Sequence, residues 1–391
     1  MFDSTLLVHA GRDPEAFQGV VNTPVFRAST VLASSIAEWE QRKKERAAEQ
    51  PGTYYGRHGT PTTHSFEEAM AALEGGHRTL VFPSGLAACA FAILPFVGTG
   101  DHVLITDSAY DPTRRLAAGV LKRFGVTTEF YDPLAAEGIE ALIKPNTRLI
   151  YTESPGSHTF EMQDTARIAE VAHRHGALVA MDNTWATPLY FKPLQHGVDI
   201  SVQAATKYIV GHSDAMLGTV TVNRALWPQL KSTAYDLGQI SSPDDCYLAL
   251  RGLRTLAVRL KQHWLSGVAL AQWLARQPEV ECVLHPALPG DPGHEIWQRD
   301  FKGASGLFSV VMKPMAADAF AALIDGLELF GTGASWGGYE SLVLPIDPAG
   351  HRSVTTWPHR GPAFRVHAGL EDMRDLIADL EQGFARLRKL L

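Results

Sequence analysis

The chain has 391 residues, 45% hydrophobic and 20% charged, an ordinary balance that excludes disordered and fibrous classes and supplies apolar material for two or three domains. Lys and Arg number 35 against 42 Asp and Glu, a net charge of −7. No basic run extends beyond Arg42-Lys43-Lys44, which argues against nucleic acid as a partner.

Cys89, Cys246 and Cys282 lie far apart with no CxxC pair, so neither a disulfide framework nor a zinc site is expected, and they read as small buried side chains in a reducing compartment. The opening residues MFDSTLLVHAGRD lack a basic n-region and a long apolar core. No stretch reaches the roughly 18 apolar residues of a spanning helix, and cytoplasm is the expected location.

Residues 1–61 read as a polar arm with one helix, Ser35 to Gln50, which starts at a favoured N-cap and stops before Pro51-Gly52. Thr53-Tyr54-Tyr55-Gly56-Arg57-His58-Gly59-Thr60-Pro61 is too rich in Gly and Pro for a regular element and carries Arg, Tyr and Thr, which bind phosphate well. From Thr62 an α/β alternation sets in. Helices are expected at 63–73, ending at Gly75-Gly76, at 85–97, bent or shortened by Pro95, and at 112–123, 135–143 and 164–175. Strands are expected at 79–82, 102–106, 127–131, 149–153, 177–181 and 200–202. Strands spaced by helices imply parallel pairing and a ligand site at the C-terminal strand ends. That places Ser84-Gly85, Asp107, Glu153, Asp182 and Lys207 on one sheet edge.

After Val222 the texture changes. Asn223 to Gly252 is mixed, and 253–276 has helical spacing that ends at Pro278, with Trp264 and Trp273 as packing residues. The remainder reads as a smaller α+β unit: strands 280–284, 307–312, 342–344 and 364–367 with helices 316–327 and 370–390. The expected organisation is an arm (1–61), a large domain (62–252) and a C-terminal domain (253–391).

The chemistry converges on two strand ends. Ala177 to Met181 delivers Asp182, and a β-branched run ends in Ala204-Ala205-Thr206-Lys207-Tyr208. A lone carboxylate and a lone lysine at successive strand tips meet the needs of pyridoxal 5′-phosphate (PLP): a Schiff-base amine and an acid partner for the pyridinium. Ser84-Gly85 opens a helix whose first N–H groups suit a phosphate, although Ser is also a plain N-cap. Tyr110 could stack on the ring. Arg365, in Phe364-Arg365-Val366-His367, suits a substrate carboxylate, or else marks a strand's solvent face. His173 and His175, two apart on a helix, point to different faces and make a poor metal pair, so no metal is expected. His212-Ser213-Asp214 has triad residue types but no G-x-S-x-G elbow before it.

At these positions the chain resembles the Cys/Met-metabolism family of PLP-dependent enzymes, of aspartate-aminotransferase-like fold type I, over nearly its whole length. The matching stretches are Tyr54-Tyr55-Gly56-Arg57, Phe82-Pro83-Ser84-Gly85, Asp182-Asn183-Thr184 and Ala205-Thr206-Lys207-Tyr208. Glu153-Ser154-Pro155-Gly156-Ser157, Asp182-Asn183-Thr184-Trp185-Ala186, the run Gln203 to Asp214, Ser335-Trp336-Gly337-Gly338-Tyr339-Glu340-Ser341 and His367-Ala368-Gly369-Leu370-Glu371-Asp372 are most similar to the branch of bacterial carbon–sulfur lyases that act on L-cystathionine.

The resemblance implies an α/β fold with a large domain built on a mostly parallel seven-stranded sheet and a smaller α+β C-terminal domain. It implies PLP bound by Lys207 as Schiff-base lysine and proton-transfer base, Asp182 at the pyridinium, Tyr110 over the ring, and Gly85, Leu86 and Thr206 on the phosphate. Tyr55 and Arg57 would reach that phosphate in a neighbouring subunit, which makes a homo-oligomer necessary, a tetramer built from dimers. Arg365 would bind the substrate α-carboxylate beside Ser335 and Trp336. The implied reaction is β-elimination to homocysteine, pyruvate and ammonia in methionine biosynthesis, with cysteine desulfhydration as a side activity. The alternatives are γ-elimination or γ-replacement, and a non-catalytic binding protein on the same fold. Two positions depart from the family pattern: Ala204, where many relatives have Ser, and Ala334, where an aromatic is common.

Overall fold

The computed structural model describes residues 1–48, 50 and 52–391. In the arm, the expected helix forms over Ile36–Ala47, with the Ser35 hydroxyl accepting the Glu38 N–H at 3.1 Å. Pro51, its expected stop, lies outside the described residues.

Seven strands build the large sheet: β1 Arg78–Phe82, β2 His102–Thr106, β3 Thr127–Tyr131, β4 Thr147–Glu153, β5 Leu178–Asp182, β6 Ile200–Gln203 and β7 Gly218–Val222. Their order is β1-β7-β6-β5-β4-β2-β3, and all pairs are parallel except those of β7, which runs antiparallel between β1 and β6. β7 is a strand that the alternation rule missed. No helix intervenes between β6 and β7 to make a right-handed crossover, so the chain turns back on itself through the lysine-bearing loop. Of the two buried threonines of β7, Thr221 finds a partner, its Oγ1 lying 2.7 Å from Thr79 Oγ1 across the β1–β7 pair, whereas the Thr219 hydroxyl has none among the described residues.

Both faces of the sheet are covered. Phe82, Ile105, Val202 and Val220 sit in one apolar cluster and Ile150, Val179 and Met181 in another, all fully buried, each worth roughly 1.5–3 kcal/mol of transfer free energy. The helix Pro61–Glu74 has proline in its first turn and stops at Gly75, whose φ of +72° is open to glycine and strained for most residues. The helix expected at 85–97 is Gly85–Phe91, followed by a 3₁₀ turn over Leu94–Phe96 that contains Pro95. The expected helix 135–143 is instead a 3₁₀ helix, Ala136–Leu142.

The long helix runs Pro243–Leu274, starting well before the expected Leu253. Ser242 caps it, Pro243 opens it and Asp244 and Asp245 occupy its first turn, a standard start in a stretch that had read as mixed. A separate helix, Trp227–Asp236, precedes it. Trp264 packs edge-on against Tyr190 and Trp273 against Phe384, as packing residues should. The small sheet comprises β8 Val280–Leu284, β9 Leu307–Met312, β10 Gly331–Thr332, β11 Leu342–Ile346 and β12 Ala363–His367, in the order β10-β11-β12-β9-β8 and antiparallel except for β10 with β11. Helices Ala317–Ile324 and Met373–Arg388 bury Leu323, Leu380 and Phe384 against Phe308 and Phe364 of this sheet. Among the described residues, no helix is long and apolar enough to cross a membrane.

Candidate active site

The C-terminal ends of β4, β5 and β6 meet the smaller domain around a cavity of about 360 Å³. Asp182 and Glu153 stand opposite each other in the β4–β5 register, and β6 leads directly into the turn that carries Lys207. Lys207, Asp182, Tyr110, Ser84, Gly85, Leu86, Thr206, Glu153, Trp336 and Arg365 all line this one cavity. Ser335 reaches it through Lys207, whose ammonium donates to the Ser335 hydroxyl at 2.7 Å and lies 5.4 Å from the Trp336 ring centre. Asp107 is on the expected sheet edge but does not line the cavity; its carboxylate turns toward the segment 353–355.

Desolvation governs the charges here. Burial first, then the positive charge of Arg365, push the Lys207 ammonium down to about 8, with Asp182 opposing them. A lysine so shifted releases its proton near neutrality, as a nucleophile and base must. The buried Asp182 is held above the usual carboxylate range, because burial outweighs its donors. Those donors are the Thr184 N–H at 3.0 Å, the Thr184 hydroxyl at 2.5 Å and the Cys89 thiol at 3.7 Å. Thr184 Oγ1 also accepts the Ala204 N–H at 2.8 Å, so one hydroxyl ties the end of β5 to the turn after β6.

Arg365 resolves one ambiguity. All five residues of β12 are buried, so the arginine is not on a solvent face. Its Nη2 donates to the Ser335 carbonyl at 3.0 Å, and burial lowers its pKa to about 10. The loop after Ser335 is pressed onto the lysine: Gly337 has φ +88°, and a Cβ there would stand 2.9 Å from the Lys207 Cα and carbonyl carbon.

The cavity is equally tight at the start of the helix Gly85–Phe91. The Ser84 hydroxyl caps the helix Gly85–Phe91 by accepting the Ala87 N–H at 3.1 Å, and the first-turn N–H groups of Gly85 and Leu86 have no carbonyl within the helix to bond. A Cβ on Gly85 would lie 2.6 Å from the Ala204 side chain, so glycine permits the helix to approach the turn before Lys207. Thr206 lines the cavity, but its hydroxyl donates to the Leu217 carbonyl at 3.1 Å and must swing away to donate to an anion. A buried carboxylate with no fixed cation beside it among the described residues, an amine of depressed basicity and a helix start open to an anion fit PLP's ring nitrogen, aldehyde and phosphate.

Tyr55 and Arg57 do not line the cavity of their own chain. Tyr55 is exposed, and Arg57 donates to the Tyr235 carbonyl at 3.2 Å. Elsewhere, Ser213 donates to Glu340 rather than joining a triad, and His173 and His175 pair separately with Asp199 and Glu140. No group of three or more His, Cys, Asp or Glu able to hold a metal occurs among the described residues.

Sequence reasoning gave no role to Cys89, Thr184 or the Glu153 carboxylate. Glu153, pushed well above the usual range by burial and then by Asp182, accepts the Tyr110 N–H at 2.7 Å. The signal available was that β4 and β5 both end an apolar run in an acid, which parallel pairing sets side by side. Cys89 read as a packing residue, and only the fold brings it to Asp182.

The profile of the family described as Cys/Met metabolism PLP-dependent enzyme matches residues 4–385. A putative cystathionine beta-lyase of Rhizobium johnstonii is 50% identical over 98% of this chain and 96% of its own. Cystathionine beta-lyase MetC of Escherichia coli is 46% identical over 98% of both chains. The crystal structure of metB from Corynebacterium glutamicum is similar with a TM-score of 0.89 at 32% identity, covering 99% of this chain and 98% of that one. The chain belongs to the Cys/Met-metabolism family of PLP-dependent enzymes, with its fold type I architecture and with pyridoxal 5′-phosphate as cofactor.

Proposed function

We infer that this chain is a carbon–sulfur lyase that cleaves L-cystathionine by β-elimination to homocysteine, pyruvate and ammonia, a step in methionine biosynthesis. The observation that carries the reading is that Lys207, Asp182 and Arg365 line one cavity, in a chain that is about half identical to a relative named for this reaction. Bound PLP supplies an electron sink for the negative charge that develops at the substrate Cα. Arg365 offers its guanidinium to the α-carboxylate and so fixes which Cα bond faces Lys207. The Lys207 amine takes the Cα proton, and its Ser335 contact holds Nζ on that side of the cavity. Asp182, in the same cavity, would compensate the positive charge of the cofactor's ring nitrogen. The Cβ–S bond breaks with its electron pair going to sulfur, which takes up a proton and leaves as homocysteine, and the three-carbon enamine that remains takes up water to give pyruvate and ammonia.

Product analysis with cystathionine tests this. Pyruvate is expected, with visible absorption and turnover both lost in Lys207→Ala. 2-Oxobutyrate as the product would assign γ-elimination instead, and turnover retained without the lysine would overturn the mechanism.

The arm supports an oligomer. Tyr55 and Arg57 stand outside their own cavity, and in a tetramer of paired dimers they would complete the phosphate end of a neighbouring subunit's site, Arg57 exchanging its Tyr235 carbonyl for the phosphate. Sedimentation should give a dimer or larger assembly; an active monomer would sink the cross-subunit role. The thiols of Cys89, Cys246 and Cys282 are free, which fits a cytoplasmic enzyme.

A further inference from the structure

We propose that Asp107 is a positioning residue: its buried carboxylate latches segment 353–355 of the smaller domain to the loop carrying Tyr110, and so sets where that ring stands over the cofactor. The inference rests on the reading above, in which Tyr110 stacks on the ring.

Asp107 follows β2 directly and is 1% exposed. Its Oδ1 accepts the Ser353 hydroxyl at 2.6 Å, the Ser353 N–H at 3.1 Å and Arg114 Nη1 at 2.8 Å. Its Oδ2 accepts the N–H groups of Val354 and Thr355, each at 3.1 Å, and the Thr355 hydroxyl at 3.0 Å. Burial alone would raise such an acid; the Ser353 hydroxyl, Arg114 and the strap N–H groups outweigh it and hold the carboxyl below its ordinary range. Arg114 also donates to the Asp107 carbonyl at 2.9 Å and lies 4.0 Å from the Phe130 ring centre, so the counter-charge is itself fixed. Two further contacts flank the latch: Arg352 pairs with Glu161 at 2.6 Å, and His351 Nδ1 lies 3.3 Å from Asp111 Oδ1.

The loop held in this way is part of the cavity wall. The Tyr110 N–H is fixed on Glu153 at 2.7 Å, and the Ser157 N–H donates to the Ser108 carbonyl at 2.8 Å. Lys207 and Tyr110 belong to the large domain, whereas Arg365 and Ser335 come from the smaller one. Asp107 lines no part of the cavity. It can influence the reaction only by fixing the Tyr110 loop against the domain that binds substrate, and displacements on the order of 1 Å at such a site cost large factors in rate.

The test measures kcat, KM and the visible circular dichroism of the holoenzyme for Asp107→Asn, Tyr110→Ala and the double variant. Asp107→Asn keeps the shape but sets an NH₂ group against N–H donors; kcat/KM should fall roughly ten- to a hundred-fold, with a weakened cofactor band. In the Tyr110→Ala background the same change should cost less than about three-fold, because the ring it positions is gone. Should Asp107→Asn fail to fold, the pair Ser353→Ala and Thr355→Val removes two donors from the opposite side and should move both readouts the same way by less. A lowered Tm with kcat/KM and dichroism intact, or full multiplication of the two effects, would overturn the proposal. Tyr110→Ala without effect on band or turnover would overturn it together with the stacking assignment beneath it, so the two failures are told apart.

Discussion

The cavity edge and the interdomain latch bury the same chemical group and give it opposite character. At the cavity, Asp182 has three donors and is pushed above the usual carboxylate range, and Glu153, with the Tyr110 N–H, is pushed further still. At the latch, Asp107 has the Arg114 guanidinium and a strap of N–H and O–H donors and is held below that range. Burial is common to both regions, so donors and a fixed cation decide the outcome. The latch is saturated by the protein itself. Asp182 has three neutral donors and, among the described residues, no fixed cation beside it, and in the proposed function the cofactor's ring nitrogen would supply that positive charge.

Removing the charge at the cavity should therefore be costly. Asp182→Asn keeps the shape but cannot compensate a pyridinium; kcat should fall by roughly a hundred- to a thousand-fold, a range typical for loss of one preorganised electrostatic contact. The bound cofactor's absorption should shift as its ring nitrogen loses its proton. A variant of unchanged kcat and unchanged spectrum would show that the Asp182 carboxylate is not that partner.

The contrast also separates what could be read from the chain from what could not. Strands β2, β3, β8 and β9 form at the expected residues because each is a short run rich in β-branched or aromatic residues set off by turn residues, a signal that is local. Asp182, Lys207 and Arg365 were legible for the same reason: each is a charge against an apolar run. β7 was not, because its alternating threonines read as polar, and the Thr79 hydroxyl that partners Thr221 comes from across the sheet. The start of the long helix was missed although Ser242, Pro243 and Asp244 announce it, a cap signal overlooked in favour of apolar periodicity. The Lys207–Ser335 contact spans 128 positions and the Asp107 latch 246, and no local pattern reports on such pairs. Asp107 was placed on the correct edge; only the fold turns it away from the cavity.

The smallest expected effect sharpens the comparison at a third place, the helix Pro61–Glu74. Glu67 accepts the Val81 N–H at 3.1 Å, and burial raises its pKa to about 8; Glu74 accepts Ser201 and Gln203 and is raised to about 7. The ordinary value is 4.5 for both. Between 4.5 and these values the unfolded chain has released protons that the folded chain retains, so stability is complete at the acid end of the window and declines as pH rises through it. Thermal unfolding of the wild type should accordingly show Tm falling over that interval. Glu67→Gln keeps a carbonyl oxygen for the Val81 N–H and has no proton to lose, so its Tm should decline less, leaving it a few degrees or so above the wild type near pH 8 and close to it at acid pH. Parallel Tm profiles for the two proteins would mean that Glu67 ionises as freely in the fold as in water, and that one donor and partial burial do not suffice to keep a carboxyl neutral here.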